Sequence, residues 1–195
     1  MDIIIATNNK HKVEEYKELL KDFKDINIIS LKEAGIVSDP IEDGTTFEAN
    51  SLIKAKACQN KTDKIIIADD SGLIVDALPN ILGVGTSRFM GEDTSYDIKR
   101  KEVIRLLENK DRSARFVCCI TLINFGKEPV TFKGEVEGWI SYKVEGEYGF
   151  GYDPIFIPNG YDKTFASLGE DVKGKISHRA KASVKLVEYL KEHLR

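Results

Sequence analysis

Two adjacent carboxylates, a hydroxyl and a glycine follow one another in Ala68-Asp69-Asp70-Ser71-Gly72-Leu73. Neighbouring acids repel unless a cation or a proton relieves them, and a divalent metal with oxygen ligands is the simplest relief. The preceding run, Lys64-Ile65-Ile66-Ile67, is short, β-branched and uninterrupted, which predicts a buried strand. In an α/β protein, ligands bind beyond the carboxyl ends of strands, so the acids would stand where a cation is useful. Asp, Ser and Gly are also ordinary turn residues, and the stretch by itself equally fits a plain strand-to-turn connection.

Three further stretches carry chemistry. Thr7-Asn8-Asn9-Lys10-His11-Lys12 lies between an apolar strand at residues 3–6 and a helix whose stripe is Val13, Tyr16, Leu20 and Phe23. Free N–H groups at a helix start favour an anion, and Lys10 and Lys12 add positive charge. No GxxxxGK[ST] pattern is present, and an ordinary helix start capped by Thr7, Asn8 or Asn9 is the competing account. Gly149-Phe150-Gly151-Tyr152-Asp153-Pro154 combines glycines that permit close backbone approach with a ring able to stack on a base and an acid able to accept hydrogen bonds from base or sugar. A Gly/Pro turn into a strand at 155–157 explains it as well. Ser177 is a good cap for a last helix striped by Ala180, Val184, Val187 and Leu194. That places His178 and Arg179 in a first turn whose dipole disfavours cations, as a bound anion or polar ligand would justify; a solvated turn competes.

The elements that position these groups alternate between strand and helix. A second strand is expected at 26–31, then a loop over 35–44 with Asp39, Glu42 and Asp43. Thr45 and Glu48 have capping-box spacing for a helix to about Asn60 that carries Lys54. Ser95 is expected to cap a helix to about Asn109, and strands are expected at 116–125 and, as one or two pieces, at 131–142. The break at Gly126-Lys127 suggests antiparallel pairing, hence a mixed sheet. With 195 residues, 42% of them hydrophobic and 31% charged, the chain is long and apolar enough for one substantial domain or two joined lobes. A net charge of −3 gives no field toward nucleic acid or an anionic membrane. Cys58, Cys118 and Cys119, odd in number and without CxxC spacing, fit reduced thiols. With no visible signal peptide or membrane span, a cytoplasmic protein is expected.

Six segments, in order, resemble the inosine triphosphate pyrophosphatase family: Ala6 to Lys12, Glu42 to Phe47, Ala68 to Leu73, Gly83 to Phe89, Gly149 to Pro154 and Ile176 to Arg179. Any one is weak; six in family order are specific and span nearly the whole chain. The resemblance implies an α/β fold with a central elongated mixed β-sheet flanked by helices, two lobes with an active-site cleft between them, one catalytic domain over residues 1–195 and a homodimer. It implies Mg²⁺-dependent hydrolysis of ITP, dITP and XTP to the monophosphate and pyrophosphate, which clears deaminated purines from the nucleotide pool. By the same resemblance, Thr7, Asn8, Asn9 and Lys12 would hold the triphosphate, with Lys10 and His11 in the same loop. Asp70 would be the catalytic carboxylate and a metal ligand, Glu42 the second ligand, and Asp69 the alternative to Asp70. Ser71 and Lys54 would contact substrate, and Phe150, Gly151, Tyr152, Asp153, Lys173, His178 and Arg179 would form the base and sugar pocket. One departure is Ala49, where the family often has an acid before Asn50; Glu48, one position off, points about a quarter-turn away and is read as a cap. A Maf-like pyrophosphatase of similar fold is the nearest rival, and the Phe150-to-Asp153 and Ser177-to-Arg179 segments argue against it.

Overall fold

The computed structural model describes residues 1–193, so Leu194 of the expected apolar stripe lies outside the described residues. One six-stranded sheet has the order β2-β1-β3-β4-β5-β6. Its strands are β1 (Asp2–Ile5), β2 (Asn27–Ser30), β3 (Ile65–Val75), β4 (Ser113–Ile123), β5 (Val130–Ile140) and β6 (Phe156–Pro158). Among the described residues six α-helices accompany it: α1 (Lys10–Leu19), α2 (Phe47–Gln59), α3 (Tyr96–Leu106), α4 (Phe165–Leu168), α5 (Glu170–Ile176) and α6 (His178–His193). β1 runs parallel to β2 and β3, with Ile3 beside Ile28 and Ile65. β5 and β6 are antiparallel. The sheet is therefore mixed, as expected.

The most consequential difference from expectation is the length of β3. The strand does not end before the acids: it carries Asp69, Asp70, Ser71 and Gly72 in its middle and continues to Val75. β1 accompanies only Ile65–Ile67, and beyond that point β3 leaves its parallel partner. Polar residues are tolerated in a buried strand when their side chains find partners, and the lysines described below provide them. A scan for apolar runs reads Asp-Asp-Ser-Gly as a break because it does not see those partners.

Smaller shifts have similar causes. The cap of α2 is Thr46, whose hydroxyl accepts from the Ala49 amide at 3.1 Å, so Thr45 and Glu48 do not form the expected box. α4, α5 and the 3-10 turns Gly83–Arg88 and Asp153–Ile155 escape the periodicity argument because they are short. Ser177 does cap α6, accepting from the Ala180 amide at 3.1 Å.

The chain divides into two compact units. The first comprises residues 1–70, 118–134 and the stretch from Lys181. Its core has two parts: Ile3, Ile5, Tyr16, Ile67, Ile120 and Leu186 among others in one, and Ile4, Leu31, Ala55, Ile66 and Ala68 in the other. β1 and β3 thus bury apolar side chains on both faces, as their near-continuous isoleucines require. The second unit comprises residues 71–117 and 135–180, with Leu73, Val103, Phe116, Ile140, Phe156 and Phe165 at its centre. Phe116 and Phe156 meet there with ring centroids 4.6 Å apart. Among the described residues no helix is long and apolar enough to cross a membrane.

Within this second unit, Gly138 of β5 faces Pro158 of β6. A Cβ at Gly138 would stand 2.2 Å from the Ile157 carbonyl oxygen and 2.7 Å from Phe156 Cζ, the close approach that a glycine inside a strand often marks. Gly138→Ala is expected to cost about 2 kcal/mol or more, read as a lower urea midpoint with an unchanged m-value.

Candidate active site

Consecutive residues of a strand point to opposite faces, and Asp69 and Asp70 accordingly have different partners. Asp69 is fully buried; its Oδ1 accepts from Lys12 Nζ at 3.0 Å, and the Cys118 thiol lies 3.7 Å from its Oδ2. Asp70 is 5% exposed, and its Oδ1 accepts from Lys54 Nζ at 3.1 Å. Lys54 also donates to the Asp69 carbonyl at 3.0 Å and meets Glu42 Oε2 at 3.0 Å. The three donors of one ammonium thus meet three oxygens, two of them on carboxylates. Glu42 arrives from the loop before α2, and Lys54 from the middle of that helix.

Burial works against the Lys54 cation, but the charges of Asp70, Asp69 and Glu42 overcome it and hold its pKa above the ordinary lysine value. For Asp70 burial is the larger effect: it pushes the carboxyl pKa up despite Lys54 and Lys12, and Glu42 adds to the rise. Asp70 Oδ2 is buried and has no hydrogen-bond partner among the described residues. An orphaned carboxylate oxygen is costly and is the atom a cation or a substrate proton would satisfy.

The loop before α1 shows how its polar residues are spent. Asn9 is the cap: its Oδ1 accepts from the His11 amide at 3.0 Å and the Lys12 amide at 3.3 Å, so these two amides are already engaged. Thr7 Oγ1 accepts from the Asn9 amide at 3.1 Å, and Asn8 Nδ2 donates to the Ser38 carbonyl at 2.9 Å, tying this loop to the Glu42 loop. Asn8, Asn9, Lys10 and His11 are exposed, whereas Lys12 is turned inward onto Asp69.

In the second unit the glycine-aromatic loop is internally braced. Gly149 and Gly151 have φ of 81° and 60°, the left-handed region that favours glycine. A Cβ at Gly149 would fall 2.2 Å from Asp153 Oδ2. That oxygen accepts from the Phe150 amide at 3.0 Å and from Lys173 Nζ at 2.8 Å. Asp153 and Lys173 therefore form a buried ion pair that shapes the loop, and Lys173 stands 4.7 Å from the centroid of the half-buried Phe150 ring. Tyr152 is buried, with its hydroxyl donating to the Thr86 carbonyl at 3.3 Å. Arg179 is 1% exposed and donates to Ser71 Oγ at 3.0 Å; His178 stacks on Phe116 with centroids 4.8 Å apart. The structure thus gathers Glu42, Lys54 and Asp70 in one cluster and Lys12 with Asp69 in a second, both in the first unit. In the second unit it gathers Phe150, Asp153 and Lys173, and separately Ser71 with Arg179.

Several supports are not apparent from motif reading. Asn50, fully buried, accepts from the Gly44 amide at 2.8 Å and fixes the chain leading out of Glu42. Thr86 accepts from the Leu73 amide at 3.0 Å, just after the acids of β3. Glu48, read from sequence as a cap, instead reaches the Cys119 thiol, which burial first and this carboxylate second push up to about 12. Its place beside the Phe47–Ala49–Asn50 segment was the available signal.

The Lys12–Asp69 pair allows a direct measurement. A double-mutant cycle with Lys12→Met and Asp69→Asn should return a coupling of about 1–3 kcal/mol in urea unfolding; no coupling would mean that the pair contributes nothing to the fold.

The comparisons with known proteins agree with these features. A sequence profile of the Ham1 family matches residues 3–189. The chain is 44% identical over 192 residues to the dITP/XTP pyrophosphatase of Bacillus subtilis, covering 97% of this chain and 96% of that one. It is 43% identical to the dITP/XTP pyrophosphatase of Clostridium perfringens, with 96% of each chain covered. The structure of the Staphylococcus aureus Ham1 protein superimposes with a TM-score of 0.87 at 39% identity over 98% of this chain and 99% of that one. A HAM1 protein from Coxiella burnetii gives the same TM-score at 37% identity, covering 98% of this chain and 99% of that one. A match of this length and depth shows that the chain belongs to the Ham1 family.

Proposed function

We propose that this protein is a nucleoside triphosphate pyrophosphatase that hydrolyses dITP, ITP and XTP between the α- and β-phosphates, releasing the monophosphate and pyrophosphate. The reading rests on family membership and on one observation: two carboxylates, Glu42 and Asp70, converge on the Lys54 ammonium while Asp70 Oδ2 is left without a partner. The donor set suits Mg²⁺, which is commonly held by one or two carboxylates together with substrate phosphates. Among the described residues no group of three or more His, Cys, Asp or Glu side chains forms a complete cage. Asp70 and Glu42 would hold the ion, which when bound supplies charge neutralisation on the phosphate oxygens and a more acidic water. Asp69 is already committed to Lys12, which favours Asp70 over it for this role.

The remaining chemistry belongs to the chain. Asp70 accepts the proton of the attacking water at its carboxylate, where a raised pKa makes it a better base than a free aspartate. Lys54 and Lys12, both largely buried, offset the negative charge that develops on the transferring phosphoryl group. The exposed residues Asn8, Asn9, Lys10 and His11, with Thr7, receive the outer phosphates. The half-buried Phe150 offers a face to the base, with Gly151, Tyr152, Asp153 and Lys173 holding that ring in place. Ser71, Arg179 and His178 complete recognition, the Arg179 guanidinium supplying donors for a 6-oxo purine that adenine would leave unpaired. We further propose, on the family resemblance, a homodimer in the cytoplasm; three buried cysteine thiols suit a reducing compartment.

Pyrophosphate release from ITP, XTP, GTP, ATP and dTTP, with Mg²⁺ and with chelator, tests the reading. Mg²⁺-dependent release concentrated on ITP and XTP is expected; release mainly from dTTP would replace it with the Maf-like alternative. Turnover in Asp70→Asn should fall by about a thousandfold. Because the folded state holds the Asp70 proton more tightly than the unfolded chain, ionisation costs stability as pH rises through the unfolded value toward the raised folded one. In EDTA the wild type should therefore lose stability as pH rises through and above the ordinary aspartate range, and Asp70→Asn should lack that part of the loss, read from urea unfolding of both over a pH series.

A further inference from the structure

The loop read above as the base site does not hold its shape alone. Gly151 sits in the left-handed region at φ 60°, and its carbonyl is not one of the groups that Asp153 and Lys173 brace. That carbonyl accepts from Arg100 Nε at 2.6 Å. Arg100 comes from α3, a helix whose dense charges have no part in the reaction described so far. Its guanidinium is fixed twice more: Nη1 meets Asp97 Oδ1 one turn back at 3.0 Å, and the plane lies 5.9 Å from the Tyr96 ring centroid. Tyr96 in turn meets Tyr152 edge-on, with centroids 5.4 Å apart. A Cβ added at Gly151 would meet the Tyr96 ring at 3.7 Å, so the ring faces the glycine at close range. The neighbouring Lys99, almost fully buried, donates to the Ser87 carbonyl at 2.7 Å.

We infer that Arg100 is a positioning residue for base recognition: through its hydrogen bond to the Gly151 carbonyl it holds the Phe150 ring in the orientation that receives the purine. The inference rests on the reading of the 149–153 loop as the base site. The partners of Arg100, the Gly151 carbonyl, Asp97 and Tyr96, are none of the residues assigned above to the phosphates, so its effect is expected on ligands that carry a base. A charge-assisted hydrogen bond to a glycine turn is the kind of contact whose loss lets a loop sample other shapes without unfolding the protein. The price appears as a smaller fraction of molecules ready to bind.

The test compares the wild type, Arg100→Ala, Arg100→Lys, Arg100→Gln and Phe150→Ala in the full chain with Mg²⁺. KM and kcat are measured for ITP, together with the inhibition constant of inorganic tripolyphosphate, which has phosphates but no base. In Arg100→Ala, KM for ITP should rise about tenfold, the loss expected for one charge-assisted hydrogen bond. kcat should change less, and tripolyphosphate should inhibit as in the wild type. Arg100→Lys, which keeps a donor, should recover much of the KM. If Arg100→Ala does not fold, Arg100→Gln carries the same comparison. An unchanged KM in the arginine variants while Phe150→Ala raises it would overturn the positioning role and leave the base site standing. An unchanged KM in Phe150→Ala would overturn the base-site reading and the inference with it. A parallel rise in the tripolyphosphate constant would show a general structural defect and would also overturn the inference.

Discussion

A lysine ammonium held among three oxygens organises the first unit of this protein. Lys54 is largely buried, and a buried cation is stable only when its donors are all used and its charge is matched. The Asp69 carbonyl, the Asp70 carboxylate and the Glu42 carboxylate meet both demands. That contact fixes helix α2 to strand β3 and draws in the loop before α2, so the two carboxylates come within reach of one point. The proposed Mg²⁺ site would draw on the same carboxylates that satisfy the lysine.

The cost of this arrangement falls on Asp70. Its pKa is raised because burial outweighs its two lysine neighbours, and one of its oxygens is left unsatisfied. Asp69, on the opposite face of the same strand, is instead matched to Lys12 at short distance. One carboxylate is matched to its surroundings, and the other is kept in a state that costs stability. The pleat of β3 separates the two roles, which adjacent acids on a flexible turn could not do.

The second unit solves a different problem, that of holding a glycine loop still. Glycine gives the loop its left-handed bends but no side chains to anchor them. Asp153 with Lys173 fixes it from within, while Arg100, Tyr96 and Tyr152 fix it from α3. Aromatic packing of Phe116 against Phe156, and of His178 against Phe116, makes a rigid base for these contacts.

The sequence by itself determined the α/β class, the mixed sheet, the cap Ser177 and the family, because these depend on periodicity, local hydrogen bonding and ordered motifs; it narrowed the α1 cap to Thr7, Asn8 or Asn9, of which the fold uses Asn9. It also named Glu42, Lys54 and Asp70 as candidates. Only the tertiary structure decided that β3 runs through its acids, that Asp69 answers to Lys12 while Asp70 answers to Lys54, and that Asp153, Lys173 and Tyr152 are turned inward to brace a loop. Whether a strand survives two consecutive carboxylates depends on cations that arrive from residues 15 and 57 positions away in the chain. Local pattern cannot encode that; the energy that keeps the strand intact comes from partners that only the fold brings near.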